Sequence, residues 1–161
     1  MLLQPFLSKE KTHCDIIPLI ERNKKRLRSG KMYKSNSSIF SNYNIWLNAV
    51  KNDKKTFDEL KSIENDEKEI TDRFYCDLKF GTGGLRGKLG AGTNRMNVYV
   101  VSRATRGLAA YINKTTKGNK SVVIAYDSRN MSREFAFLAA DVFSGAGIKT
   151  YVFNTLTPTP I

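Results

Sequence analysis

The sequence predicts an α/β fold with packing helices first and a βαβ unit after them. Two observations carry this. From Ile39 to Leu78 the apolar residues recur at helical spacing, with Ile39, Tyr43, Trp46, Leu47 and Val50 on one face, then Phe57 and Leu60, then Ile70, Phe74 and Leu78. Further on, the short β-branched and aromatic runs Val122 to Tyr126 and Ile148 to Phe153 flank a segment of helical pattern. Strand, helix and strand within about 30 residues make a βαβ unit, whose strands run parallel with a right-handed crossover.

In order along the chain, residues 1–38 come first and are read as a basic, disordered tail. Residues 1–36 hold nine Lys or Arg against three acids, mixed with Ser and Asn and showing little apolar periodicity. The cluster Arg22 to Arg28 reads as a solvated run, with an address signal or an RNA contact as the alternative, and Met32 is an alternative start. Residues 39–78 form the helical segment, with Asp53 and Asn65 as expected caps. Residues 79–161 form the α/β part. Within it, Asn97 to Asn113 puts Val101, Ala104, Leu108 and Ile112 on one stripe. Ser132 to Ala146 does the same with Phe135, Leu138, Ala139, Val142, Phe143 and Ala146; Ser132 is the expected N-cap, and Gly145 or Gly147 the stop. Ligands of parallel sheets gather beyond the carboxyl ends of the strands, which singles out the loops at Asp127–Arg129 and Thr155–Ile161.

Composition narrows the function. The chain has 27 Lys and Arg against 15 Asp and Glu, a formal charge of +12 that suits an anionic partner. Half of that excess sits in the tail, and the remainder shows no basic stripe interleaved with aromatics, so it does not read as a nucleic-acid-binding domain. Cys14, Cys76 and His13 cannot assemble a disulfide framework or a Cys/His metal site. The apolar opening Met1 to Leu7 is too short and interrupted for a secretory signal, and no run approaches the roughly 20 apolar residues of a membrane span, so the cytoplasm is expected.

The most informative stretch is Phe80-Gly-Thr-Gly-Gly-Leu-Arg-Gly87. Three glycines in four positions uncover backbone N–H donors, and the arginine adds a planar, two-pronged cationic contact, so the loop is suited to a phosphate. It is not a Walker loop: Thr82 stands where the first glycine is needed, and Leu89 replaces the Ser or Thr that would hold magnesium. It is not the dinucleotide fingerprint either, since its third glycine would fall on Arg86.

Taken in order with Gly90-Ala-Gly-Thr-Asn-Arg-Met-Asn97, Val122-Val-Ile-Ala-Tyr-Asp-Ser-Arg129, Tyr151-Val-Phe153 and Thr157-Pro-Thr-Pro160, this stretch resembles the first domain of α-D-phosphohexomutases. The likeness, closest to the phosphoglucomutase/phosphomannomutase branch, covers residues 40 to 161. It implies an incomplete first domain with βαβ units and a mixed sheet between helices. It also implies an enzyme that interconverts hexose 1-phosphate and hexose 6-phosphate through a magnesium-bound phosphoserine and a hexose 1,6-bisphosphate. By the same resemblance Arg86 contacts the phosphosugar, with Thr82, Gly83 and Gly84 beside it. Asp127 and Arg129 match the family's Asp-x-Arg turn, where a local ion pair is the expected role. Arg95, with Asn94 and Asn97, is open to anion binding or to turn and cap duty.

The family's catalytic serine loop, metal loop and sugar-selecting loop all lie beyond Ile161 in this pattern. The chain alone is therefore expected to hold no metal, to be inactive and to need the remaining mutase domains. The alternative is a standalone protein that binds phosphate or nucleic acid through the Gly-rich loop and the basic tail.

Overall fold

A computed structural model describes residues 3–5 and 36–157. The basic cluster Arg22 to Arg28, Met32, His13, Cys14 and the Pro158–Ile161 turn lie outside the described residues. The elements are β1 (Leu3–Pro5), α1 (Asn36–Ala49), α2 (Lys54–Ser62), α3 (Glu67–Phe74), β2 (Phe80–Gly81), β3 (Gly84–Leu85), α4 (Val98–Thr115), β4 (Ser121–Ile124), α5 (Ser132–Gly145) and β5 (Lys149–Phe153). Two compact units result, one from residues 15–100 and the other from residues 1–14 with 101–161. Among the described residues no helix is long and apolar enough to cross a membrane.

In the unit of residues 15–100 three helices carry most of the predicted stripe, but Leu78 lies beyond the end of α3, and Ile39, Leu47 and Phe57 pack only partly buried against the core. Tyr43, Trp46, Val50, Leu60, Ile70 and Phe74 form its core with Tyr99 and Val100. Trp46 meets the rings of Phe74 and Tyr99 edge-on at 5.9 and 5.5 Å, the arrangement that aromatic quadrupoles favour. Asp53 caps α2, accepting from the Thr56 N–H at 3.2 Å. The expected cap at Asn65 falls instead on Asp66, whose carboxylate accepts from the Glu69 N–H at 3.0 Å. A carboxylate also answers the helix dipole, which an amide does not.

In the other unit β4 and β5 pair in parallel, Val122 opposite Thr150 and Ile124 opposite Val152, as the βαβ reading requires. α5 packs over them through Ala136 and Ala140 against Tyr126 and Val152, and through Phe143 against Ile148. The sheet is mixed, in the order β1-β5-β4, because β1 joins β5 antiparallel with Leu3 opposite Phe153 and Pro5 opposite Tyr151. This strand lies inside the stretch expected to be disordered, and the physical reason is the unpaired backbone that β5 would otherwise present. A proline without an N–H is tolerated at such an edge.

Three local expectations change. α4 buries Ser102, Thr105 and Ala109, while Leu108 is 52% exposed, so the helix sits rotated from its apolar stripe. Ser132 does not cap α5. The cap position is Met131, at φ 64° without a side-chain bond, and the Ser132 hydroxyl accepts from the Asp127 N–H. α5 ends through Gly147 at φ 75°: the Gly147 N–H donates to Ser144 and the Ile148 N–H to Phe143, a closure that seats Ile148 against Phe143.

Candidate functional site

Phe80 to Gly87 folds as a tight hairpin. β2 and β3 pair with Phe80 opposite Leu85 and Gly81 opposite Gly84, leaving Thr82 and Gly83 at the tip. Thr82, Gly83 and Arg86 are exposed. The Arg86 guanidinium folds back over Gly83, so close that a β-carbon there would stand 2.6 Å from Nη2. The tip thus combines uncovered backbone with a planar cation, the two donors a phosphate oxygen needs. Lys79 and Lys88 flank the hairpin and are exposed too.

The segment after the hairpin docks on the helices. Leu78 donates its N–H to the Thr93 carbonyl at 2.9 Å, and the Thr93 hydroxyl bonds the Cys76 carbonyl at 2.6 Å. Asn97 caps α4, its Oδ1 accepting from the Val100 N–H while its Nδ2 donates to the Gly90 and Gly92 carbonyls, each 2.9 Å. Arg95 is 4% exposed and its guanidinium pairs with the Asp72 carboxylate at 2.5 Å, with further bonds to the Asp72 and Asn94 carbonyls. Its fork is spent inside the unit and does not face an incoming anion. The Arg95 hydrogen bond holds the Asp72 carboxyl below its ordinary range.

In the other unit Arg129 closes a ring with Asp127: its N–H and Nε donate to the two carboxylate oxygens at 3.0 and 2.7 Å. The Asp127 carboxyl is lowered by the Arg129 backbone bond first and the Ser132 hydroxyl next. The two loops at the strand ends meet, since the Thr157 N–H donates to the Tyr126 carbonyl at 2.8 Å. Among the described residues no three His, Cys, Asp or Glu side chains gather as a metal ion would need.

Residues 77–161 match the family described as phosphoglucomutase/phosphomannomutase, alpha/beta/alpha domain I. The chain belongs to that family. It is 37% identical to a phosphopentomutase of Pongo abelii over 125 residues, 71% of this chain and 20% of that protein. It is 40% identical to a phosphoglucomutase of Staphylococcus haemolyticus over 87 residues, 54% of this chain and 16% of that protein. With a phosphoribomutase of Saccharomyces cerevisiae the identity is 36% over 112 residues, 68% of this chain and 18% of that protein. The chain thus spans a fifth or less of the length of these relatives. No solved structure gives a significant match.

Sequence reasoning singled out the hairpin, the Asp-x-Arg turn and the Asn94 to Asn97 block of this phosphomutase domain. It missed Glu59 and Arg73, which grip Gly90 to Gly92 from α2 and α3. Glu69 and Arg73, four apart on a helix, were the available signal for half of that cluster. Nothing local couples Glu59 to Ala91.

Proposed function

We propose that this chain contributes the first domain of a sugar-phosphate mutase, which moves a phosphoryl group between the anomeric and the primary hydroxyl through an enzyme phosphoserine and a sugar bisphosphate. Arg86, supported by the Thr82, Gly83 and Gly84 backbone, takes one phosphate of the sugar. The observation that carries this is the exposed guanidinium lying on the exposed tip of a Gly-rich hairpin, inside the stretch that matches the family domain. Phosphoryl transfer depends mainly on positioning and on spreading negative charge, and a two-pronged cation beside exposed backbone suits both. Asp127 and Arg129 shape their loop by pairing with each other, and Arg95 braces the segment behind the hairpin.

The substrate class is a hexose 1- or 6-phosphate. A pentose phosphate is the second reading, favoured by the phosphopentomutase and phosphoribomutase among the relatives. Magnesium and the bisphosphate go with the complete catalytic assembly. Residues 1–161 alone are expected to bind without turnover, since they correspond to a fifth or less of each relative's length. The cytoplasm, where sugar phosphates are made and used, goes with this activity.

The test is a titration of ¹⁵N-labelled chain with glucose 1-phosphate and, separately, ribose 1-phosphate. Shifts confined to Thr82, Gly83, Gly84 and Arg86, lost in Arg86→Ala and reduced in Arg86→Lys, are the expected result. Shifts elsewhere, or an unchanged response in both variants, would assign Arg86 a purely structural part.

A further inference from the structure

We propose that Glu59 and Arg73 are the positioning residues of the phosphate-binding hairpin; the inference rests on the function proposed for that hairpin. One Glu59 carboxylate oxygen accepts from Arg73 Nη1 and from the Ala91 N–H, the latter at 2.9 Å. Arg73 Nη1 also donates to the Ala91 carbonyl at 3.2 Å, and its Nε donates to Glu69 at 2.9 Å. Both backbone groups of Ala91 are therefore held by one ion pair, whose partners stand on different helices.

The glycines on either side make this grip possible. A β-carbon on Gly90 would stand 2.8 Å from the Glu59 carboxylate, and one on Gly92 would stand 2.8 Å from the Arg73 carbonyl oxygen. Gly92 moreover sits at φ 131°, a conformation side chains rarely adopt. The Gly-Ala-Gly triplet is thus a cradle shaped to the ion pair rather than a second anion loop.

The grip reaches the hairpin from both ends. Downstream, Gly90 follows Arg86 by four residues, and the Met96 N–H donates to the Lys88 carbonyl at 2.8 Å. Upstream, Leu78 bonds Thr93 through its backbone, and its side chain fills the space over Gly87, where a β-carbon would meet it at 2.8 Å. A two-residue turn on such short strands has little cohesion of its own, so its aim is set by where its two stems are fixed. Arg73 is 15% exposed in its side chain, and its fork pairs with two carboxylates and a carbonyl that a lysine could not serve together.

The experiment compares the 1–161 chain with Glu59→Gln, Arg73→Gln and Arg73→Lys. It reads amide exchange and ¹⁵N relaxation over Gly81 to Leu85, with far-ultraviolet circular dichroism as the fold control. Exchange over the hairpin is expected to rise about tenfold in Arg73→Gln, less in Arg73→Lys and least in Glu59→Gln, with helix content kept. Hairpin amides that stay as in the parent overturn the proposal. So does a loss of helix signal in step with the hairpin in all three variants, because the pair would then hold the whole unit together. Inorganic phosphate titrated into the parent chain tests the binding reading separately: no shift at Gly83, Gly84 or Arg86 would count against phosphate binding and leave the exchange result to decide the positioning role.

Discussion

Single residues in this chain carry more than one duty, and that makes their substitutions informative. Asp53 accepts from the Thr56 N–H to cap α2 and from the Tyr99 hydroxyl at 2.7 Å. Burial, and then the Asp53 carboxylate, push the Tyr99 phenol above its ordinary range, so the hydroxyl stays a donor at any ordinary pH. Asp53→Ala removes the cap and this acceptor together, and is expected to cost about 2–3 kcal/mol in a urea melt. Gly92→Ala forces a β-carbon against the Arg73 carbonyl at a strained φ, and a loss of about 3 kcal/mol is expected in the same assay. Asp72 sets an acid limb. Its folded carboxyl is depressed by Arg95, so its contribution is complete above the ordinary carboxylate value of about 4 and drains away as the pH falls through the lower, folded value. Thermal melts of Asp72→Asn should therefore lose stability at pH 7 and fall less steeply below pH of about 4 than those of the parent.

At the level of elements, the periodic signals were legible because they reflect burial directly. The stripe from Tyr43 to Phe74 and the parallel pairing of Val122–Ile124 with Thr150–Val152 follow from apolar spacing and from β-branched runs. α4 was misread by rotation, since Ser102 and Thr105 are buried although no apolar count would choose them. The Thr105 hydroxyl bonds the Val101 carbonyl at 2.9 Å, a local solution that hides its polarity from any pattern. The cap of α5, though not its start, was misassigned for a related reason: Ser132 spends its hydroxyl on the Asp127 loop, and Met131 takes the left-handed position unaided. Replacing Met131 by Gly is expected to raise stability by about 1 kcal/mol by relieving that conformation, measured as a shift of the unfolding midpoint. Of the candidate site, the hairpin and its arginine were visible as a motif. The ion pair behind them was not, because Glu59 and Ala91 are brought together only by the tertiary fold.

For the molecule as a whole, the strand β1 changes what the N-terminal residues are for. They cover the backbone edge of β5, with Gln4 opposite Val152. Removing residues 1–7 is expected to leave the helical unit of residues 15–100 intact and to shift the protein towards larger species in size-exclusion chromatography, as bare strand edges do. An unchanged monomer peak would make β1 dispensable. The same strand imposes an order of events. β1 is made well before its partner strand, which ends at Phe153. Residues 15–100 form a contiguous unit and can settle during that wait, with their contacts close in sequence and quick to form. β1 thus waits for a partner distant in sequence, and until β5 emerges it is an unpaired strand that a chaperone can hold.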